Sequence, residues 1–133
     1  MRLVCDTNVL IAGLVADGLC RDIVKRRLAK HDLFTSTALL AELNEQLRDK
    51  FGVDPESVPF IKAYRERATV IKPAALPTSI CRDPDDDEVL AVAATAKADA
   101  IVTGDKDLLT LKSNGGIPIL SPRQLVELLD RLK

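Results

Sequence analysis

Along the chain, short runs of consecutive apolar residues alternate with longer stretches in which apolar positions recur every three or four residues. These are the patterns of buried strands and of the helices that cover them. "MRLVCD" opens with a strand over about residues 2 to 5, which stops where "DTN" supplies turn and cap residues and leaves Asp6 at its carboxyl end. "VLIAGLVA" reads as a short buried helix, and "LCRDIVKRRLAKH" as a second with Cys20, Ile23, Val24 and Leu28 on its apolar stripe. A strand at Leu33 to Thr35 leads to a helix that Ser36 or Thr37 can cap, that carries Leu39, Leu40, Leu43 and Leu47 at helical spacing, and that Gly52 stops. Asp54 and Pro55 take the N-cap and N1 slots of a helix running to about Ala68.

"TVI" at 69 to 71 is a third strand, and the proline-punctuated stretch from Pro73 to Pro84 is a loop. Asp85 to Ala98 is helical, "AIV" at 100 to 102 is a fourth strand, "TGDKD" breaks it, and a further loop closes at "NGG". "IPIL" is a fifth strand, and a last helix begins with Ser121 as cap and Pro122 at N1. Alternation of strands and helices without repeats predicts one α/β domain over residues 1–133, its parallel sheet covered by helices on both faces.

Composition narrows the classes without choosing a partner. With 133 residues, 47% hydrophobic, 29% charged and a net charge of -1, the chain reads as an ordinary globular protein with one core. Cys5, Cys20 and Cys81 form no CxxC pair, so neither a disulfide framework nor a zinc knuckle is expected, and a reducing cytosol fits. No basic leader precedes an apolar segment and no apolar run spans a bilayer, which predicts a cytoplasmic protein without a membrane anchor.

The segment "CRDPDDDEVL" changes this picture, because it sets five carboxylates in six positions, broken only by Pro84. Asp85 and Glu88 have the spacing of a capping box and Asp83 suits the turn before Pro84, which leaves Asp86 and Asp87 without a structural role. Two carboxylates about 4 Å apart repel by roughly 4 kcal/mol at an effective dielectric near 20, so a compensating cation is expected nearby. In open α/β sheets ligands collect at the carboxyl ends of strands where the order reverses. Asp6 lies at such an end of the first strand and Asp105 just past the fourth, while Glu42 sits on the shoulder of its helix's leucine stripe. Oxygen ligands without histidine or cysteine suit Mg²⁺ or Mn²⁺, ions normally shared with phosphate oxygens.

These stretches, "DTNVL" at 6 to 10, "CRDPDDDEVL" at 81 to 90 and "TGDKDLL" at 103 to 109, closely resemble the PIN-domain ribonucleases, most of all the VapC-type toxins of prokaryotic toxin and antitoxin pairs. The resemblance implies an α/β/α sandwich with five parallel strands in the order 3-2-1-4-5. It also implies an acidic quartet at Asp6, Glu42, Asp87 and Asp105, supported by Asn8 and Thr103 and with Asp107 close by. Periodicity alone does not choose Asp87 over Asp86. The implied chemistry is hydrolysis of single-stranded RNA with one or two Mg²⁺ or Mn²⁺ ions, and the implied partners are RNA, a cognate antitoxin and a second copy in a homodimer.

Arg21, Lys25, Arg26, Arg27 and Lys30 offer a basic approach for RNA, although a solvated helix face explains such a run more often and aromatic platforms are scarce. Two rival readings stand beside the nuclease. A haloacid-dehalogenase-type Mg²⁺ phosphatase wants a second aspartate two residues after the first, where this chain has Asn8. A catalytically idle module would only bind RNA or a regulatory protein.

Overall fold

The computed structural model describes residues 1–16, 18–76 and 79–132. Six strands occur among them: β1 (Arg2–Cys5), β2 (Asp32–Thr35), β3 (Thr69–Val70), β4 (Ala100–Val102), β5 (Ser113–Asn114) and β6 (Ile117–Leu120). Seven helices accompany them: α1 (Thr7–Val15), α2 (Leu19–Lys25), α3 (Thr37–Phe51), α4 (Pro59–Arg67), α5 (Pro84–Ala96), α6 (Lys106–Leu111) and α7 (Pro122–Arg131). The sheet order is β3-β2-β1-β4-β6-β5, parallel throughout except for the β5–β6 pair. The five expected strands take the expected order, and β5 is an addition to it. Gly115 and Gly116, at φ of 58° and 81°, turn "NGG" into a tight hairpin that pairs Asn114 with Ile117, where only a loop was expected.

Alternation along the strands divides the core into two layers. Leu3, Cys5, Leu33, Ala100 and Val102 face one side and pack with side chains of α1, α2, α3, α4 and α7. Val4, Phe34 and Ile101 face the other and pack against Val89, Leu90, Val92, Ala93 and Ala96 of α5 and Leu108 of α6. The result is the three-layer α/β/α arrangement.

Several helices depart from the expected boundaries for local reasons. Asp54 does cap a helical turn, but only a short 3₁₀ segment (Pro55–Ser57) follows, because Pro59 lacks the N–H a continuous helix needs and opens α4 instead. The expected helix through "LCRDIVKRRLAKH" ends at Lys25, and Arg27–Lys30 tightens into a 3₁₀ turn that buries Leu28. Residues 106–111 form α6 because the Asp105 carboxylate accepts from the backbone N–H of Asp107 and Leu108 and thereby caps a turn. Pro84, not Asp85, opens α5: Asp83 is its N-cap and accepts from the Asp85 N–H. Within the expected loop from Pro73 to Pro84, residues 77 and 78 lie outside the described residues, as does Lys133 at the end of the last expected helix.

Candidate metal centre

Because β1 and β4 are neighbours in parallel register, with Cys5 opposite Val102, the chain leaves both strands at one edge. The Asp6 N–H continues the ladder to the Val102 carbonyl at 2.9 Å, so Asp6 and Thr103 emerge side by side. The Thr103 hydroxyl, fully buried, donates to Asp6 Oδ2 at 2.7 Å, and the Asn8 amide donates weakly to the same oxygen at 3.4 Å. Asn8 Oδ1 in turn accepts from the Gly104 N–H, and Thr103 Oγ1 from the Asp105 N–H. Asn8 and Thr103 thus tie the two strand ends together and aim Asp6 and Asp105. Asp6 is only 6% exposed. Burial first, and then the Asp105 and Asp83 carboxylates, push its pKa upward against hydrogen bonds from Thr103 and the Thr7 backbone.

The first turn of α5 joins this edge through Asp86. One oxygen each from Asp86, Asp105 and Asp107 lie within 4.8 Å of one another. Asp86 is 8% exposed. Burial, followed by Asp105, Asp6, Asp83 and Asp107, pushes its carboxyl up to about 6. Glu42, half-buried on α3, is pushed up to about 7 by burial and by Asp85 and Asp6, with the Thr7 hydroxyl opposing the rise. It accepts a hydrogen bond from Gln46 at 2.9 Å and lines a groove with Asp85.

Asp87 is directed elsewhere. One helix position on from Asp86, its carboxylate accepts from the Ser79 hydroxyl at 2.6 Å and from the backbone N–H groups of Ile80 and Cys81. These bonds, Ser79 first, hold its pKa below the ordinary carboxylate range. It fastens the loop entering α5. The expected quartet is therefore divided: Asp6 and Asp105 come together with Asp86 and Asp107, Glu42 stands on the flank, and Asp87 faces the loop. Asp86 shares its helix face with the buried Val89, Leu90 and Ala93, three, four and seven residues on. Glu88 is likewise not a capping-box partner; it accepts from the Ser36 hydroxyl at 2.8 Å, linking α5 to the start of α3.

The basic run is used locally. Arg21 donates to the carbonyls of Gly13 and Leu14 at the end of α1, and Lys25 lies 5.5 Å over the Phe60 ring. Arg26 pairs with Asp22, and Arg27 with Asp130 of α7. Lys30 is exposed, beside a hollow lined by Arg26, Arg27 and His31. Near it, His31 meets the amino terminus and the Asp32 N–H donates to the Met1 carbonyl, at the amino end of the sheet. A strand of four residues, about 13 Å, separates this end from Asp6. The three cysteines are free thiols, and burial pushes Cys5 up to about 12. Among the described residues no helix is long and apolar enough to cross a membrane.

The donor set fits a hard divalent cation. It consists of carboxylate oxygens alone, three of them close enough to share one ion, and a bound cation would offset both the burial that chiefly raises Asp6 and Asp86 and the repulsion that adds to it. A family model described as the PIN domain matches residues 2–107, from β1 into the first turn of α6, a span that contains every carboxylate of the cluster. A protein of Methanocaldococcus jannaschii described as uncharacterised is 28% identical over 144 residues, covering 96% of this chain and 90% of its own.

Proposed function

The chain belongs to the PIN-domain family, a family of metal-dependent nucleases, and from that membership we propose that it is an endoribonuclease that hydrolyses phosphodiester bonds of single-stranded RNA with Mg²⁺ or Mn²⁺. The observation that carries this reading is the convergence of Asp86, Asp105 and Asp107 within 4.8 Å, beside the buried Asp6. Asp86, Asp105 and Asp107 would hold the ion, with the buried Asp6 beside them and Glu42 on the flank. In this reading Asp86 takes the place expected of Asp87, whose carboxylate is bonded to the loop before α5.

One or two divalent ions held by these carboxylates would supply polarisation of the scissile phosphate and a lowered pKa for an attacking water. The chain's own contribution is positional and electrostatic. Thr103 and Asn8 fix Asp6, the α6 backbone fixes Asp105, and the buried setting of Asp6 and Asp86 makes their charges count for more than they would in water. No side chain is asked to form a covalent intermediate. The phosphatase alternative needs an acidic group where Asn8 stands, and Asn8 instead braces Gly104.

The finer reading is a cytoplasmic toxin with a cognate antitoxin, acting as a homodimer. It rests on the likeness of "DTNVL", "CRDPDDDEVL" and "TGDKDLL" to VapC-type toxins. Growth arrest on expression, relieved by the product of an adjacent reading frame, tests that role. For the activity itself, defined RNAs are incubated with the purified protein, with and without Mn²⁺, and the products mapped. We expect cleavage that requires the ion, falls at least about a hundredfold in Asp6→Asn and Asp86→Asn, and survives in Asp87→Asn. Full activity in Asp86→Asn would overturn the ligand set.

A further inference from the structure

A cation already reaches the acidic cluster from within the chain. Arg82, in the loop leading into α5, donates from Nη2 to both carboxylate oxygens of Asp107, at 2.7 and 2.8 Å. The side chains are 85% and 47% exposed, so the pair faces solvent. Asp107 is at the same time one of the three carboxylates that approach within 4.8 Å. The loop is fastened on both sides of Arg82, by Asp87 gripping residues 79 to 81 and by Asp83 capping α5. The backbone that carries Arg82 is therefore held independently of the ion pair.

An exposed ion pair is weak and readily exchanged. A divalent cation beside Asp107 competes for its oxygens and repels the guanidinium. The planar fork then faces the mouth through which an anionic backbone must approach, and that fork matches phosphate as well as carboxylate. We propose that Arg82 is a substrate-positioning residue that exchanges partners, holding Asp107 in the absence of a divalent ion and taking an RNA backbone phosphate when the ion occupies the cluster. The inference rests on the metal-dependent ribonuclease reading above.

Mn²⁺ is titrated calorimetrically into the wild-type protein, Arg82→Gln, Asp107→Asn and the double variant. Cleavage kinetics of a defined single-stranded RNA in saturating Mn²⁺ then follow for wild type, Arg82→Gln and Arg82→Lys across a salt series. The exchange predicts that Arg82→Gln binds Mn²⁺ about two- to fivefold more tightly, the worth of an exposed ion pair, and that this gain disappears in the Asp107→Asn background. It also predicts a KM raised about fivefold or more with kcat little changed. The salt dependence of log KM becomes shallower by about 0.7, the loss of one phosphate contact, and is restored in Arg82→Lys. Unchanged Mn²⁺ affinity in Arg82→Gln, the same gain with Asp107 replaced, or an unchanged salt slope would each overturn the exchange while leaving the metal site standing. A wild-type protein that binds no Mn²⁺ would overturn the metal site and the exchange together.

Discussion

Ionising Asp86 is harder in the folded chain than in the unfolded one, because burial and the carboxylates of Asp105, Asp6, Asp83 and Asp107 push its pKa up to about 6. The folded state therefore holds this proton more tightly. The stability associated with it is intact below about pH 4 and is lost as the pH rises through about 6, and Glu42, at about 7, prolongs the loss. Asp87 has the opposite sign: its depressed pKa stabilises the fold above the ordinary carboxylate value and that contribution goes as the pH falls through the folded one. In chelator, Asp86→Asn is expected to be more stable than wild type at pH 8 by about 1–2 kcal/mol, and to differ little from it at pH 4. Thermal melts at the two pH values measure this, and wild type the more stable at pH 8 would refute it. Mn²⁺ at pH 8 should raise the melting temperature of wild type and do so far less for the variant. That two adjacent aspartates differ in this way was only partly legible in the sequence. The acidic excess pointed to a compensating charge, but Asp86 lies three and four residues before the buried Val89 and Leu90, and Asp87 before the buried Leu90 and Ala91, so spacing alone did not separate them; the bonds from the loop to Asp87 do.

Among the elements, α1 and α2 pack closely at Gly13, where a Cβ would lie 2.7 Å from Val24 Cγ2 and 3.0 Å from the Cys20 carbonyl oxygen. Gly13→Ala gains helix propensity of up to about 1 kcal/mol but overpacks a contact whose backbone side cannot yield. A net loss of roughly 1–2 kcal/mol is expected in urea denaturation; a stabilised variant would show that the helices separate freely. Asp83→Ala removes the cap of α5 and is expected to cost about 1 kcal/mol, with weakened Mn²⁺ binding because the cap sets the turn that carries Asp86. Elements with a long periodic stretch and clear caps, such as α3 between Ser36 and Gly52 and α7 behind Ser121, were readable from residue order alone. Short ones were not. The six residues of α6 are too few to show a period, and β5 exists only because two glycines fold it back on β6.

At the scale of the molecule, function depends on topology more than on any single segment. Asp6 and Asp105 are separated by almost a hundred residues, yet the β1–β4 pairing sets their strands side by side, and the hydrogen bond from Thr103 to Asp6 closes the join. The crossover through α5 then brings Asp86 to the same edge, which strand order alone did not dictate. Of the basic residues expected to guide RNA, Arg21, Lys25, Arg26 and Arg27 are engaged with neighbours, and Arg26, Arg27 and Lys30 border a hollow at the opposite end of the sheet. Whether carboxylates from α5, the turn after β4 and the start of α6 hold a divalent ion beside Asp6 is decided by anomalous diffraction from a Mn²⁺-soaked crystal. A peak is expected at roughly the 2.0–2.2 Å of metal–oxygen bonds from Asp86 and Asp105, on the side facing Asp6. A crystal with no peak among these carboxylates at saturating Mn²⁺, or with its peak at Asp87 instead, would contradict it.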